Sequence, residues 1–169
     1  MSVLEQILEA IRTRIDASGK PAGVVVSRGF TVTTDLTGND GNSLPIGISI
    51  MPAQEATFFG SQHLRAPDLP LGSNHNFPIT MRAAMVAINI RGVAASGESP
   101  DQTLDPVVSW VVAQMVGPDR TLGGLAVNVV EHQTVWTGQN GQDEYGRVQL
   151  QFQVVYLTKS TTRDSRPGA

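Results

Sequence analysis

Histidines and their acidic neighbours are the first residues to test for chemistry. No two histidines have the HxH, HxxxH or HExxH spacing of paired metal ligands. Glu131 and His132 are adjacent and could form an acid/base pair, but they lie in a segment that predicts a β-strand. Neighbouring strand residues point to opposite faces, so we expect these two side chains not to cooperate. The three histidines are His63, His75 and His132, and we expect the first two to be surface residues of a loop.

Cysteine nucleophiles and phosphate-binding motifs are also missing from the sequence. There is no cysteine, which removes thiolate nucleophiles, disulfides and Cys-type metal sites. Gly123-Gly124 precedes a predicted strand, whereas a phosphate-binding loop places its glycines before a helix. The aspartates fall in turns and helix caps, where the backbone explains them: Asp35, Asp40, Asp101, Asp105 and Asp119. We therefore expect no enzymatic activity and no catalytic, cofactor-binding or metal-binding residues.

The composition is typical of a single globular domain. The chain has 169 residues, of which 40% are hydrophobic and 16% charged, which is enough for one true core. Its net charge of −3 argues against a nucleic-acid surface as the main function. No apolar run approaches the ~20 residues of a transmembrane helix. The N-terminal segment carries Glu5 and Glu9, which a secretory signal would lack.

Two amphipathic helices are predicted, one at the N-terminus and one after residue 103. Ser2 with Glu5 matches a capping box at the start of the first helix. Asp105-Pro106 is a typical start for the second, because Asp accepts a free N–H and Pro lacks a donor. Gly117-Pro118 predicts its end. The helically spaced apolar residues are Val3, Leu4, Ile7, Leu8, Ile11 and Ile15, then Leu104, Val107, Val108, Val111, Val112 and Met115.

Strands are indicated by β-branched runs and by alternation of apolar and polar residues. The predicted segments are residues 24–26, 44–51, 77–91, 125–136 and 147–157. Pro45 places the start of the second segment toward an edge of the sheet. Asn140-Gly141 favours positive φ and predicts an antiparallel hairpin between the last two segments, 125–136 and 147–157. At ~3.3 Å per residue, segment 77–91 spans about 50 Å, which is longer than this domain needs internally.

Residues 52–76 predict a long loop or arm, because they combine three prolines with no apolar period. The segment nevertheless contains apolar side chains, which a disordered segment would not favour. We expect residues 58–71 to lie at a contact between subunits or proteins; the alternative is a loop folded over its own core. The candidate contact residues in this segment are Phe58, Phe59, Leu64, Arg65, Leu69 and Leu71.

Three further residues outside this segment are candidates for the same interface. Arg82 and Arg91 are charges on a strand whose other residues indicate burial, which predicts ion pairing or a strand end that protrudes into a neighbour. Trp110 lies off the apolar stripe of the second helix. We expect a subunit contact there, since Trp is enriched at interfaces, and the alternative is the edge of a broad core face.

The predicted fold class is α+β: a mixed, mostly antiparallel sheet flanked by two main helices, with a long loop or arm. Residues 1–158 form a single domain in this interpretation. Residues 159–169 are polar, have no period, and predict a mobile tail.

The order of these parts resembles that of tail terminator and tail completion proteins of tailed bacteriophages. The residues that carry the resemblance are Ile90-Arg91-Gly92, Asp105 with Trp110, Leu122-Gly123-Gly124, and the final strand residues 152–158, FQVVYLT. The resemblance covers the layout of residues 1–160, and each of its motifs is short.

The resemblance implies a structural virion protein that assembles into a ring of identical subunits, commonly a hexamer. Such a ring caps the tail tube, ends tail polymerisation, and offers a docking face for the head or neck. The implied partners are the tail tube protein and a head–tail connector or neck protein, with DNA only passing through the lumen and no membrane. The implied location is the head-proximal end of the virion tail, after assembly in the host cytoplasm.

Two alternatives stay open. A head–tail connector or neck protein belongs to the same biology and has a similar composition. A small hydrolase or ligand-binding α+β domain belongs to a different class, and its site could be assembled from residues far apart in the sequence.

Overall fold

A five-stranded sheet with both helices on one face forms the framework of the molecule. The computed structural model describes residues 1–29, 46–58, 79–117, 119–137 and 145–159. In chain order the elements are α1 (Val3–Ile15), β1 (Val24–Arg28), β2 (Ile46–Phe58), β3 (Ile79–Val93), α2 (Pro100–Val116), β4 (Asn128–Thr137) and β5 (Tyr145–Lys159). The strand order is β1-β2-β3-β5-β4; β1 is parallel to β2, and all other neighbours are antiparallel. The predicted α+β class is confirmed.

The core lies between the helices and one face of the sheet. α1 packs over β1 and β2, whereas α2 packs over β3, β5 and β4. Alternate strand residues supply the sheet's side of this layer, as the period of two requires. They are Ile48 and Ile50 of β2, Ala84, Val86, Ile88 and Ile90 of β3, and Val148, Leu150, Phe152, Val154 and Tyr156 of β5. The predicted apolar face of β5 is thereby confirmed.

The first helix begins where the sequence predicts, but the second begins earlier. Ser2 Oγ accepts a hydrogen bond from the Glu5 N–H at 3.1 Å. The prediction that α2 begins at Asp105-Pro106 is wrong, because Pro100 opens the helix and Pro106 lies inside it. Ser99 precedes Pro100 and its N–H donates to Gln102 Oε1 at 3.0 Å, so a second capping sequence lies one and a half turns upstream. Pro106 removes one intrahelical hydrogen bond, which the longer helix tolerates.

The second strand is longer and more central than expected. Residues 52–58 continue β2 and are not part of a loop. Residues 47–50 pair with β1 on one side and β3 on the other, so this part of the strand is central, whereas Pro45, on which the edge prediction rests, lies outside the described residues. A bulge at Pro52–Gln54 lets the ladder continue past the proline, since Ala53 is the extra residue. Residues 59–76, 138–144 and 160–169 lie outside the described residues, and with them the rest of the predicted arm, the hairpin turn and most of the tail.

Neither described helix is long and apolar enough to cross a membrane.

β4 and β5 form the predicted antiparallel pair, although β4 begins at Asn128 and not at residue 125. β5 includes Lys159, the first residue of the predicted tail.

Asp119 organises the connection from α2 to β4. Its carboxylate accepts hydrogen bonds from the Thr121 hydroxyl at 2.6 Å, the Thr121 and Gly123 N–H groups at 2.9 Å, and Arg14 Nη2 at 2.6 Å. Arg14 also donates to the Asp119 carbonyl, so this loop is tied to the last turn of α1. The Thr121 hydroxyl, followed by the backbone donors, holds the pKa of Asp119 well below its usual range.

Two paired glycines let α2 approach the sheet. Gly92 of β3 lies directly opposite Gly146 of β5. A Cβ on Gly146 would stand 2.7 Å from Pro100 Cβ and 2.9 Å from Leu104 Cδ1. A Cβ on Gly92 would stand 2.9 Å from Leu104 Cδ2. The first turns of α2 therefore rest on bare backbone, which fixes the height of the helix above the sheet.

This glycine pair predicts the effect of adding a single methyl group. Gly146→Ala should lower the free energy of unfolding by about 1–3 kcal/mol, because the added Cβ forces α2 away from the sheet. Chemical denaturation measures this change. Gln133→Ala, an exposed position on β4, is the matched control and should change stability by less than about 0.5 kcal/mol. Equal stability of Gly146→Ala and the control would show that α2 does not sit this close.

The Asp119 cluster predicts a specific loss of stability in acid. The lowered pKa means that the folded state favours the carboxylate, so its contribution is complete above the unfolded value of about 4 and is lost as the pH falls below it. Asp119→Asn should lower Tm at pH 7, and the difference from the parent should shrink as the pH falls from 5 to 2. Thermal unfolding across this range is the measurement, with Glu131→Gln, an exposed position on β4, as the control. A constant difference at all pH values would contradict this interpretation.

Candidate functional site

One face of the sheet carries no helix, and no described element covers it. This open face is formed by the strand residues that alternate with the core set. Its members on the three central strands are Ser49, Met51 and Gln54 of β2, Ala83, Met85, Ala87, Asn89 and Arg91 of β3, and Arg147, Gln149, Gln151, Gln153 and Val155 of β5. Val25 and Val130, on the two edge strands, are exposed on the same face. The open face therefore extends across all five strands.

Amide side chains cross the middle of the open face. Gln149 Nε2 donates to Asn89 Oδ1 at 3.0 Å, and Gln151 Nε2 donates to Gln149 Oε1 at 3.0 Å. Ala83 and Ala87 are 5% and 2% exposed between these longer neighbours, so the surface is level. Amides both donate and accept hydrogen bonds, but they do not transfer protons at neutral pH. This chemistry suits binding of another surface better than catalysis.

The charges of the open face have one sign. Arg91 lies directly opposite Arg147 in the β3–β5 ladder, and both side chains are on this face. The acidic residues of the described strands, Glu55 and Glu131, are in register with Ala84 and Phe152 and so lie on the helix side. Like charges in facing positions destabilise a bare sheet.

The central strands continue past both edge strands. β1 pairs with β2 only as far as Ile50, and β4 pairs with β5 only as far as Val155. Residues 54–58, 79–83 and 155–159 therefore form a three-stranded extension of the sheet. The apolar core ends near the start of this extension, at Ala84 of β3 and Tyr156 of β5.

A polar cluster holds the helix side of the extension together. Arg82 Nη1 lies 3.1 Å from Glu55 Oε1, and Arg82 Nε donates to Thr158 Oγ1 at 3.1 Å. The Tyr156 hydroxyl donates to the same Glu55 oxygen at 3.0 Å. The Arg82 and Glu55 side chains are only 14% and 20% exposed. The predicted ion pairing of Arg82 is confirmed. The bulge makes it possible, because without the extra residue Ala53 the Glu55 side chain would lie on the open face.

Trp110 makes an internal contact. Its Nε1 donates to the Ile15 carbonyl at 3.4 Å, so it links α2 to the end of α1. The ring also lies under Gly19, where an added Cβ would stand 3.6 Å from Trp110 Cη2. The side chain is half-buried against the core, which matches the edge of a broad core face. A subunit contact through its exposed part stays a prediction.

Within the described residues, the sequence-predicted interface residues are not brought together. Arg91 lies on the open face, Arg82 on the opposite side of the sheet, and Trp110 in the helix layer. Phe58 is the last residue of β2. The remaining candidates, Phe59, Leu64, Arg65, Leu69 and Leu71, lie outside the described residues, as do His63 and His75.

Glu131 and His132 do not form an acid/base pair. Both residues are exposed on β4, and Glu131 Oε1 accepts instead from the Thr134 hydroxyl at 3.1 Å. The expected strand alternation is interrupted here, because His132 is the extra residue of a second bulge. No group of three or more potential metal ligands occurs in the part of the chain that the structure describes.

A shallow groove lies on the helix side at the start of α2. It has a volume of about 420 Å³ and is lined by Asp101, Gln102, Asp105, Pro106 and Trp136. The Ser99 side chain holds the pKa of Asp101 below its usual range. Sequence reasoning places Asp101 in a loop and Asp105 in a cap, so it does not bring them to one surface.

The Arg82 cluster yields a test that separates structure from assembly. Arg82→Met should lower the free energy of unfolding by about 1–3 kcal/mol, because a mostly buried carboxylate loses its cation. The double variant with Glu55→Gln should recover part of that loss. Urea unfolding measures both, with Arg120→Met, an exposed loop position, as the control. Unchanged stability of Arg82→Met with weakened self-association would instead place Arg82 at an interface.

No protein-family model matches this chain, and a search of the curated proteins found no significant match.

Proposed function

We propose that this chain is a structural subunit of a tailed bacteriophage, which forms a ring that caps the tail tube, ends its polymerisation and offers a docking face for the head or neck. The ring consists of identical subunits, commonly six. Its partners are the tail tube protein and a head–tail connector or neck protein, and DNA passes through its lumen. It resides at the head-proximal end of the virion tail and assembles in the host cytoplasm. It performs no catalysis and needs no cofactor.

The observation that carries this proposal is the mismatch between the sheet and its helix layer. β3 and β5 have 15 residues each, or about 50 Å, whereas the 17 residues of α2 span only about 25 Å. An antiparallel sheet can leave one face to water, so it is the length of β3 and β5 beyond the helix layer that favours an assembled surface. Here the open face offers uncovered surface that subunit contacts would bury.

The residues that carry the resemblance also have structural roles that suit a rigid ring subunit. Gly92, in the motif Ile90-Arg91-Gly92, lets the start of α2 rest on the sheet. Trp110 joins the two helices. Leu122 and Gly123 adopt positive φ beside the Asp119 cluster, which ties α2, α1 and β4 together. Tyr156 and Thr158, in the final strand, hold the extension.

The proposed function predicts a closed ring in solution. Native mass spectrometry and negative-stain imaging of the purified chain at micromolar concentration should show one oligomer with an open lumen. Added during tail-tube polymerisation, the chain should limit tube length, because the ring occupies the growing end. Imaging of the mixture should place it at one end of the tube.

Two outcomes would contradict the proposal. The first is a strictly monomeric chain that forms no ring even when tail tubes are present. The second is a ring that binds the phage head but neither binds nor limits the tube, which would favour a head–tail connector.

A further inference from the structure

We propose that the groove at the start of α2 binds segment 160–169 of a neighbouring copy of this chain, through the guanidinium groups of Arg163 and Arg166. The inference rests on the proposed function, since it assumes an assembly of identical subunits, and it names one contact within that assembly. Each subunit donates the segment that follows its β5 to the next subunit. The receiving groove is lined by Asp101, Gln102, Asp105, Pro106 and Trp136.

The groove combines an aromatic ring with two carboxylates. Asp101 and Asp105 are four residues apart on α2, so they lie on one face of the helix, about one turn from each other. Trp136, opposite the core residue Val148, lines the same groove from the helix side of β4. A guanidinium group binds carboxylates through paired, charge-assisted hydrogen bonds and also stacks on aromatic rings. These residues therefore suit an arginine side chain better than the compact charge of a lysine.

The two carboxylates have no basic partner within the described residues. Neither Asp101 nor Asp105 takes part in an ion pair there, and α2 contains no basic residue. Like charges four residues apart destabilise a helix, so a cation bound between them would stabilise α2. Other carboxylates of the helix layer are neutralised within the subunit: Glu5 by Arg28, Glu9 by Arg12, Asp16 by Lys20 and Asp119 by Arg14.

The start of the helix accounts for only one of the two carboxylates. Asp101 lies in the first turn of α2, where the free N–H groups and the helix dipole favour an acidic residue. Asp105 lies one turn further on and is exposed, and the dipole effect falls off within the first turn. Asp105 is therefore a negative charge that the helix itself does not use.

Segment 160–169 supplies the complementary charge. It contains Arg163 and Arg166 and a single acidic residue, Asp164. It has no large apolar side chain, so contact with an apolar surface would bury little of it. Charged and polar contacts must hold such a segment, and the groove of α2 offers them.

The segment cannot reach the groove of its own subunit. β5 ends at Lys159, and Trp136 lies opposite Val148, eleven residues earlier in that strand. At ~3.3 Å per residue this separation is about 36 Å. Arg166 is seven residues beyond Lys159 and lies at most about 25 Å from it, even in a fully extended chain. The segment that fills the groove therefore comes from another copy.

The same positions make the contact directional. The groove lies near the end of the sheet where β5 begins, whereas segment 160–169 leaves from the end where β5 stops. A copy that receives a segment at one end donates its own at the other. Such a heterologous contact propagates from subunit to subunit and closes into a ring when the rotation permits.

A polyanion such as DNA is the competing partner for a segment with two arginines. Two phosphate contacts give weak binding, and Asp164 between the arginines opposes a third. The chain's net charge of −3 further weakens attraction to a polyanion. The acidic groove is therefore the better partner.

Disulfide trapping tests the contact directly, because the chain has no cysteine of its own. Pro106→Cys in the groove and Ser165→Cys beside Arg166 leave all the proposed charges in place. An equal mixture of the two variants, once oxidised, should form the 106–165 disulfide between chains. Its yield should be several-fold above that of the mixture of Thr13→Cys with Ser165→Cys, since Thr13 is an exposed position on α1. Non-reducing electrophoresis measures the yield, and peptide mass spectrometry identifies the bond.

Charge reversal tests whether the contact contributes to assembly. Asp105→Arg and Arg166→Glu should each raise the concentration of half-assembly by about tenfold, because each places like charges face to face. Arg120→Glu and Glu131→Arg, at exposed positions, are matched controls and should assemble like the parent. Sedimentation velocity measures these concentrations, and circular dichroism checks that each variant is folded.

Mixing the two reversed chains should restore assembly when they alternate. At one contact the introduced glutamate faces the introduced arginine, and at the next the native Arg166 faces the native Asp105. Native mass spectrometry should then show equal numbers of the two chains in each ring.

The possible failures can be told apart. If the parent forms rings, but the 106–165 yield equals the control and both reversals assemble like the parent, this contact is wrong and the ring proposal stands. If the parent forms no ring but the bond still forms between chains, the contact stands and the proposed function fails. If neither a ring nor the bond forms, both fail.

Two further results would overturn the inference. The first is a 106–165 disulfide within one chain that carries both cysteines, since the segment would then occupy the groove of its own subunit. The second is an Arg166→Glu variant that assembles like the parent but no longer binds a short double-stranded DNA, since the segment would then be a phosphate-binding element.

Discussion

The pairing of β3 with β5 is the interaction on which the rest of the structure depends. The two strands stay in register over 15 consecutive positions, from Ile79 opposite Lys159 to Val93 opposite Tyr145. The ladders on either side, β2 with β3 and β4 with β5, each contain a shift. Because the central ladder is unbroken, its two faces stay distinct along the whole length. One face can then be uniformly apolar under the helices while the other carries amides and arginines.

Much of this division can be predicted from the sequence, because alternation is a local property. The core face of β5 and the apolar stripes of both helices follow directly from the spacing of their residues. The start of α2 does not follow from the local sequence, because Asp105-Pro106 and Ser99-Pro100 are both good local helix starts. Only packing of the helix on the sheet selects the earlier one. Residues 52–58 escape prediction as strand, because a proline and an extra residue at the bulge hide their alternation.

The candidate surfaces are harder to predict, because they depend on distances that the sequence does not contain. Glu55 and Arg82 are 27 residues apart, and the extra residue Ala53 decides whether they share a face. Arg91 and Arg147 become neighbours only through the β3–β5 register. The Gln149–Gln151–Gln153 series is visible as the polar half of an alternating strand. No described element covers the face that carries these glutamines. This can be seen only from the structure, in which both helices lie on the other face.

The bulge on β4 has a consequence for how copies of this chain can meet. An outer strand offers unpaired N–H and C=O groups, and a straight one invites uncontrolled addition of strands from other molecules. Here the outer strand is distorted at His132, beside the charged Glu131, and its exposed backbone is a poor template for another strand. Crowded copies are thus hindered from adding strands in series at this edge of the sheet.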